Sequence, residues 1–274
     1  MNISRCILAF TGVLLLSACA TTGSLTDEQH EVKQIADQVA HWQLAHMDNF
    51  DYVRTFRDHT AQPDGWVQAA FYIGLTRWYQ TTENSTYQQA LITKALANNW
   101  ANGPLYWHAD DQAIAQMYLA LADETELADI SKVQADFERI LAAQPQNSLE
   151  FIPDPDGKTE GTCQWRWCWS DALFMAPPAW AALSRITGDE RYLDYALKEF
   201  AATTDYLFDK EDFLYYRDSR FFDRRTEHGN KVFWSRGNGW VFAGLPLLLE
   251  QMPADHPERA MLLELYQQMA STFK

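Results

Sequence analysis

The chain has 274 residues, of which 47% are hydrophobic and 22% charged. These values are typical of a globular protein and exclude a disordered or fibrous chain. The formal net charge is -15, and because a nucleic-acid-binding domain needs a basic surface, we expect no nucleic-acid partner. Aromatic residues make up 14% of the chain, including 11 tryptophans, which suits either a large core or a cleft that stacks on sugar rings.

The N-terminus has the order of a bacterial lipoprotein leader. Residues 1–5 are a short basic start, and residues 6–16 are apolar but too few to span a membrane. The sequence Leu16-Ser17-Ala18-Cys19 follows and is similar to a lipobox, in which the cysteine carries lipid. An ordinary secreted protein with a chance cysteine is the alternative.

This pattern predicts three parts: a lipoprotein signal peptide over residues 1–18, a short tether over 19–26 and a folded domain over 27–274. With lipid on Cys19, the domain is expected at the periplasmic or outer face of a Gram-negative-type envelope. The lipid anchor would then be its only membrane contact.

Two cysteines remain in the predicted domain, Cys163 and Cys168. Their spacing does not match a zinc site, so we expect no metal. In an oxidising compartment the two can form a disulfide. Two separate buried thiols among Trp165, Trp167 and Trp169 are the equally open alternative.

From Asp27 onward, apolar residues recur at helical spacing, starting with Val32, Ile35, Val39 and Trp42. Further helices are predicted over about 66–82, 84–99, 109–123, 125–143, 170–187, 189–208, 237–251 and 255–273. The best strand candidates are 213–216 and 231–234, which we interpret as one hairpin inserted between helices.

Short polar turns join these helices into antiparallel pairs, for example at Thr187-Gly188-Asp189-Glu190. The paired units are longer and less regular than those of open helical solenoids. The sequence therefore predicts an all-α toroid of helical hairpins. In such an array alternate helices run parallel, so the N-termini of the inner helices share one rim, where functional loops are expected.

Two predicted helices begin with acids, Asp110 and Asp111 in one and Asp171 in the other. Aspartate at this position most often caps the helix, and the helix dipole favours its charge. Aromatic residues surround both positions, which is unusual for a solvent-facing cap. Asp110 or Ser170 can cap while the following aspartate points elsewhere, so capping and chemistry both stay open.

Three segments together resemble glycoside hydrolase families 88 and 105, the unsaturated glucuronyl and galacturonyl hydrolases. They are Trp-Cys-Trp-Ser-Asp-Ala-Leu-Phe-Met-Ala-Pro-Pro at 167–178, Trp-Ser-Arg-Gly-Asn-Gly-Trp at 234–240, and the segment 109–119. The resemblance runs from about residue 30 to the end of the chain. It implies an (α/α)6 barrel, also called a six-hairpin toroid.

The resemblance also implies the reaction. The substrate is an oligosaccharide left by a polysaccharide lyase, ending in a uronic acid with a C4=C5 double bond. One acid protonates C4, water adds at C5, and the hemiketal opens to release the rest of the sugar chain. This chemistry needs no cofactor, and one carboxyl that gives and retakes a proton suffices. The polymer from which the substrate comes is not determined by the sequence.

Residue by residue, Asp171 matches the catalytic acid/base of these families. Asp111 is our choice for the second acid, with Asp110 as the alternative and the expected cap. Arg236 and Trp240 match residues near the uronate, the arginine for its carboxylate and the tryptophan for its ring.

Further candidate substrate contacts are Trp234, Trp169 and His108, although core packing is an equal alternative for Trp234 and for Trp240. Many members of these families carry a histidine in the segment equivalent to 215–222, which has none here. We expect Arg220 to replace it. Asn238 lies between two glycines in the second motif, and it can be a turn residue with positive φ instead of a substrate contact.

The predicted helices number about nine, whereas six hairpins need twelve. We therefore expect a toroid that is incomplete at its C-terminus, with low stability or a required partner, since an open array exposes apolar surface. Two other functions stay open: another toroid enzyme, such as an ordinary glycosidase or a sugar epimerase, and a non-catalytic lipoprotein that binds glycans.

Overall fold

The computed structural model describes residues 26–48, 62–143, 148–152, 163 and 165–273. It divides into two units, residues 1–45 and 46–274. The first contains helix α1 (Asp27–Ala45). Thr26 and Gln29 close its N-terminus as a capping box, each side chain accepting a hydrogen bond from the other's backbone N–H (2.9 and 3.2 Å).

The second unit contains ten further helices and one small sheet among the described residues. The helices are α2 (Trp66–Thr82), α3 (Ser85–Ala97), α4 (Ala109–Gln112), α5 (Ala115–Ala122), α6 (Ser131–Ala143), α7 (Ala172–Met175), α8 (Pro177–Thr187), α9 (Glu190–Leu207), α10 (Ser235–Gln251) and α11 (Arg259–Thr272). The strands are β1 (Phe208–Asp209) and β2 (Leu214–Tyr215), and a 3₁₀ turn spans Ser219–Phe221. The predicted all-α class is confirmed.

Two hairpins are closed by the same local device. After α2, Glu83 adopts a left-handed conformation (φ 53°), and Asn84 then accepts a hydrogen bond from Thr86 N at the start of α3. After α8, Gly188 is left-handed (φ 72°), and Asp189 caps α9. A left-handed residue stops one helix and a polar cap starts the next, which explains why each pair turns back in a few residues.

Three predicted helices are shorter or broken. The helix predicted over 109–123 divides into α4 and α5, and that over 170–187 divides at Ala176, where Pro177 and Pro178 supply no N–H to continue the ladder. The helix predicted from 125 begins only at Ser131, where Asp129 accepts the first free N–H at 3.1 Å.

The predicted strand hairpin is wrong in its second partner. Strand β2 pairs antiparallel with β1, whereas residues 231–234 form no strand. Lys231 makes one isolated antiparallel bridge to Arg225, and its Nζ lies 2.7 to 3.0 Å from the carboxylates of Asp209, Glu211 and Asp212.

The prediction of a positive φ at Asn238 is also wrong. This residue is buried within α10, and its side chain bonds both the N–H and the C=O of Tyr215 (2.7 and 2.9 Å). It thus ties α10 to the edge of the small sheet.

Helices α2, α5, α8 and α10 pack as successive neighbours, and α3, α9 and α11 are their hairpin partners or flanking helices. The C-terminal ends of the four neighbours surround a small pocket, lined in part by Gln80, Asp123, Arg185 and Gln251. Their N-terminal ends therefore lie at the opposite rim, as predicted. Gly244 lets α10 approach α7, because a Cβ there would lie 2.6 Å from Leu173 O.

The predicted signal peptide, most of the tether and Cys19 lie outside the described residues. Among the helices that are described, none is long and apolar enough to cross a membrane.

Candidate active site

Asp171 stands in the turn that leads into α7. It occupies the N-cap position, but its side chain makes no capping hydrogen bond, so the capping interpretation is wrong for this residue. A backbone hydrogen bond from Ser170 N to Arg217 O (3.0 Å) fixes this turn to the segment that contains Arg217. Asp171 Oδ1 is buried and has no hydrogen-bond partner among the described residues. A carboxyl left unsatisfied in this way is available to a ligand.

The surroundings of Asp171 favour its protonated form. Burial raises the pKa of Asp171 to about 7, and the nearby charge of Asp110 adds to this effect, while Arg217 and Arg236 oppose it. A large fraction of this carboxyl therefore carries a proton near neutral pH. This is the property that a general acid requires.

The two acids at α4 have different partners. His108 caps this helix by accepting a hydrogen bond from Asp110 N (3.2 Å), so the prediction that Asp110 is the cap is wrong. Asp111 instead binds its own loop: Oδ1 accepts from Leu105 N at 3.1 Å, and Oδ2 lies 3.6 Å from His108 Nδ1. A Cβ on Gly103 would lie 2.2 Å from Asp111 Oδ1.

Burial raises the pKa of Asp111, while the Leu105 N–H and His108 lower it. The structure thus divides the roles differently from the sequence prediction. Asp111 holds the turn before α4, and Asp110 is the acid whose charge acts on Asp171. The choice of Asp111 as the second acid at the site stays a prediction.

Two arginines flank Trp234 beside Asp171. Arg236, exposed in the first turn of α10, has its guanidinium 4.8 Å from the Trp234 ring, and Arg217 has its own 5.4 Å from the same ring. Both lower the pKa of Asp171. A cation in the first turn of a helix opposes the helix dipole, so the position of Arg236 indicates a site for an anion.

Arg217 was missed in the sequence analysis, which chose Arg220 in the same segment. The Arg220 guanidinium binds Asp218 through two hydrogen bonds (2.8 and 2.7 Å) and covers the Phe151 ring at 3.4 Å. These contacts engage the guanidinium within its own part of the fold, and a direct substrate role for Arg220 stays a prediction. The signal in the sequence was the pattern Arg-Asp-x-Arg, in which one acid can pair bidentately with only one arginine.

The predicted aromatic contacts form the frame of the site. Trp169 is buried between His108 and Phe151, with ring centroids at 5.2 and 5.6 Å, and His108 is itself buried. Trp240 is half-buried and tilts against Phe174 at 4.7 Å. Trp169 and His108 therefore support the loops, whereas Trp234 and Trp240 keep exposed surface near the arginines.

A glycine permits the close approach of α10 to the Asp171 turn. A Cβ on Gly237 would lie 2.4 Å from the Trp234 ring and 2.6 Å from Ser170 Oγ. Any larger residue would therefore displace either the tryptophan between the arginines or the serine that precedes Asp171.

Cys163 and Cys168 form a disulfide, so the interpretation as two thiols is wrong. The bond closes a loop that contains Trp165, and this indole stacks on Trp107 with ring centroids 4.7 Å apart and planes at 9°. Neither tryptophan was singled out as a site residue. Both are half-buried and belong to the two loops that carry Asp110 and Asp171.

A helical hairpin array with a protonatable carboxyl, arginines and tryptophans at one rim defines a carbohydrate-active domain of the toroid class. Residues 28–274 match the model described as Glycosyl Hydrolase Family 88. The chain belongs to this family.

Two curated relatives carry the same name, unsaturated 3S-rhamnoglycuronyl hydrolase. The protein from Alteromonas sp. (strain LOR) is 42% identical over 247 residues, which cover 87% of this chain and 59% of the relative. The protein from Formosa agariphila is 37% identical over 216 residues, covering 76% and 56%. The chain therefore spans less than two thirds of the length of either relative.

Among solved structures, a glycosyl hydrolase family 88 protein from Bacteroides vulgatus is similar, with a TM-score of 0.64 and 25% identity. The match covers 84% of this chain and 66% of that one. The resemblance and the six-hairpin toroid fold class are confirmed. The predicted incompleteness of the toroid stays a prediction.

The described residues contain no group of three or more His, Cys, Asp or Glu side chains arranged to hold a metal ion.

Proposed function

We propose that this chain is a hydrolase that removes a terminal Δ4,5-unsaturated uronic acid from the products of a polysaccharide lyase. The observation that supports this most directly is Asp171, with a buried, unpartnered Oδ1, a pKa raised to about 7, and two guanidinium groups beside it. A protonated carboxyl next to an anion-binding site is what hydration of an unsaturated uronate requires.

The reaction proceeds through the vinyl ether of the uronate. Asp171 donates its proton to C4, and the positive charge that develops at C5 and the ring oxygen is quenched by water at C5. Asp171, now a carboxylate, accepts the proton that the water loses. The product is a hemiketal, which opens to release the remaining sugar chain. No oxidant, reductant or cofactor enters the balance.

We assign the second carboxyl at the site to Asp110 rather than Asp111. Asp110 acts on Asp171 through its charge, whereas Asp111 is bonded to the Leu105 N–H of its own loop. The charge of Asp110 helps to keep the pKa of Asp171 raised, and in this proposal Asp110 holds a sugar hydroxyl or the attacking water.

Arg236 binds the uronate carboxylate, and Trp240 contacts the sugar ring. Because both curated relatives are named for it, we propose an unsaturated rhamnoglycuronyl oligosaccharide as the substrate. The site then acts downstream of a lyase that leaves a uronate at the new chain end.

The test is loss of the ultraviolet absorbance of the C4=C5 double bond when purified protein meets an unsaturated rhamnoglycuronyl disaccharide. Asp171→Asn should abolish the loss while leaving the circular dichroism spectrum unchanged. Turnover of saturated glycosides but of no unsaturated one would reject the proposal. Sugar binding without turnover in the parent would favour the non-catalytic alternative.

We further propose that Cys19 is lipidated and anchors the chain in the envelope of a Gram-negative-type bacterium. Residues 6–19 have the required order of apolar and small residues before the cysteine. Metabolic labelling with a palmitate analogue should mark the parent and not Cys19→Ala. Labelling of neither protein would reject the anchor.

A further inference from the structure

Arg217, Asp218 and Arg220 form a small charge cluster beside the Asp171 turn. Asp218 is fully buried, and Arg220 occupies it through two side-chain hydrogen bonds and its own backbone N–H (3.0 Å). Arg217 Nε lies 3.8 Å from the same carboxylate. The single negative charge of Asp218 thus has two arginines near it. Arg220 forms the bidentate hydrogen-bonded pair with this carboxylate, and Arg217 lies farther away.

The charge of Arg217 is not neutralised by a close partner in the same way. The side chain of Arg217 is 38% exposed. Its guanidinium lies near the Trp234 ring, and the guanidinium of Arg236 lies near the same ring. The backbone of Arg217 is fixed to the Asp171 turn through the hydrogen bond from Ser170 N. Two guanidinium groups therefore converge on one tryptophan next to the proposed proton donor.

We propose that Arg217 and Arg236 form a two-arginine clamp on the uronate carboxylate, and that Arg220 is a positioning residue that forms the close bidentate pair with Asp218 and so leaves Arg217 at the longer distance. This inference rests on the proposed function, because it names a further substrate contact of the same site. Without Arg220, the buried carboxylate of Asp218 would draw Arg217 the short distance away from the substrate.

The clamp has a consequence for the proton donor. In the free protein both arginines lower the pKa of Asp171. A bound uronate neutralises them, so the pKa of Asp171 rises when substrate is present and the proton is held until the double bond is in place. The limiting pKa seen in kcat should therefore be higher than that seen in kcat/KM.

Binding without turnover tests the clamp. In an Asp171→Asn background, the dissociation constant of an unsaturated disaccharide is measured by calorimetry. Adding Arg217→Ala should weaken binding about 10- to 100-fold, as expected for loss of a hydrogen bond between charged groups. Arg185→Ala is the control, because this exposed arginine lies at the opposite rim and pairs with Asp123; its binding should match that of the background.

Three combinations test the positioning role. Arg220→Ala should weaken binding nearly as much as Arg217→Ala, and the double variant should be no weaker than Arg217→Ala alone. Asp218→Asn/Arg220→Ala should restore binding to within about threefold of the background, since no buried anion then competes for Arg217. The Asp218→Asn/Arg220→Ala variant also contains no buried Asp218 carboxylate without its arginine, whereas Arg220→Ala alone leaves that charge in the interior and can unfold for this reason. Failure of a folded pair to recover would show that Arg220 itself contacts the ligand.

A methyl ester of the same disaccharide identifies the anion. Arg217→Ala should change its affinity less than twofold, because the carboxylate is gone. An equal loss with acid and ester would overturn the clamp. If the parent binds the acid through Arg217 but never consumes it, the proposed function fails and the clamp stands. If the parent turns over and Arg217→Ala binds normally, the clamp alone fails.

Discussion

The turns before α4 and α7 look alike in sequence but differ in how their acids are satisfied. Each has an aspartate close to a helix start, and each is rich in aromatic residues. In the first, Asp111 bonds the Leu105 N–H and packs against Gly103. In the second, Asp171 has a buried oxygen without a partner. Asp111 therefore stabilises its own loop, whereas the position of Asp171 depends on contacts that neighbouring residues make.

The difference shows where stability and chemistry separate in this domain. A buried polar atom without a partner destabilises the fold by about 1–3 kcal/mol, and natural proteins keep such atoms mainly at functional sites. The turn before α7 compensates through the disulfide, the bond from Ser170 to Arg217 and the close approach of α10 at Gly237. In the turn before α4, the Asp111 carboxylate is itself hydrogen-bonded to the Leu105 N–H, and the buried atom there without a partner among the described residues is Trp107 Nε1.

The largest effect should come from Asp171→Asn. The amide keeps the shape of the side chain but has no proton to give, so kcat should fall by roughly 1000-fold, within the usual contribution of a general acid. The measurement is the loss of double-bond absorbance with an unsaturated disaccharide. A folded variant that keeps a tenth of the activity would remove Asp171 from the reaction.

The neighbouring acids give a matched pair. Asp110→Asn should lower kcat about 10- to 100-fold with little change in the melting temperature. Asp111→Asn should lower the stability by about 1–2 kcal/mol, because it weakens the charged bond to the Leu105 N–H, with a smaller loss of kcat. Activity assays and thermal melts of both variants check this. The reverse result would restore the assignment made from the sequence.

Much of the fold was predictable because it follows from local patterns. Apolar spacing and short polar turns located the helices, and the resemblance indicated the fold class. The errors have physical causes. Pro177 and Pro178 broke one helix, and the side chain of Lys231 replaced a strand pairing that its β-branched and aromatic neighbours suggested. Propensity shows what a segment prefers alone, whereas these outcomes depend on a missing N–H and on distant carboxylates.

The site was predictable to the level of segments rather than side chains. The motifs that contain Asp171 and Arg236 are far apart in sequence, and the structure brings these two residues near each other. The choice between Asp110 and Asp111, and between Arg217 and Arg220, depends on which side chain its own loop consumes. That competition is decided by hydrogen bonds within each loop, such as the bidentate pair of Arg220 with Asp218, and the sequence pattern alone does not show which of the two arginines forms it.

The pH dependence separates the two turns further. Because Asp171 must be protonated, kcat/KM should fall about tenfold per pH unit above pH 7, from its pKa of about 7. The same shift affects stability. The folded state keeps a proton that the unfolded chain loses near 3.8, the ordinary value, so stability decreases as pH rises from about 4 through about 7.

Asp171→Asn has no carboxyl to ionise in the folded state, so it avoids the free-energy cost of that ionisation at high pH. It should be more stable than the parent by roughly 1–3 kcal/mol at pH 8, with no difference at pH 4. Urea unfolding at the two pH values measures it. Burial also raises the pKa of Asp111, but the Leu105 N–H and His108 offset part of this effect, so the stability of Asp111→Asn relative to the parent should rise less between pH 4 and pH 8 than that of Asp171→Asn. Equal stability of the parent and Asp171→Asn at pH 8 would contradict the raised pKa.

The smallest effect concerns the disulfide that supports the turn before α7. Replacing Cys163 and Cys168 by serine opens a short loop and should lower the stability by about 2 kcal/mol, by the loop-entropy estimate. The bond also holds Trp165 against Trp107, so KM should rise a few-fold while kcat changes little, because Asp171 is still fixed through Ser170 and Arg217. Steady-state kinetics of the double serine variant, and of the parent with and without a reductant, would check both. A fall in kcat with KM unchanged would mean that the disulfide, and not the bond to Arg217, positions the proton donor.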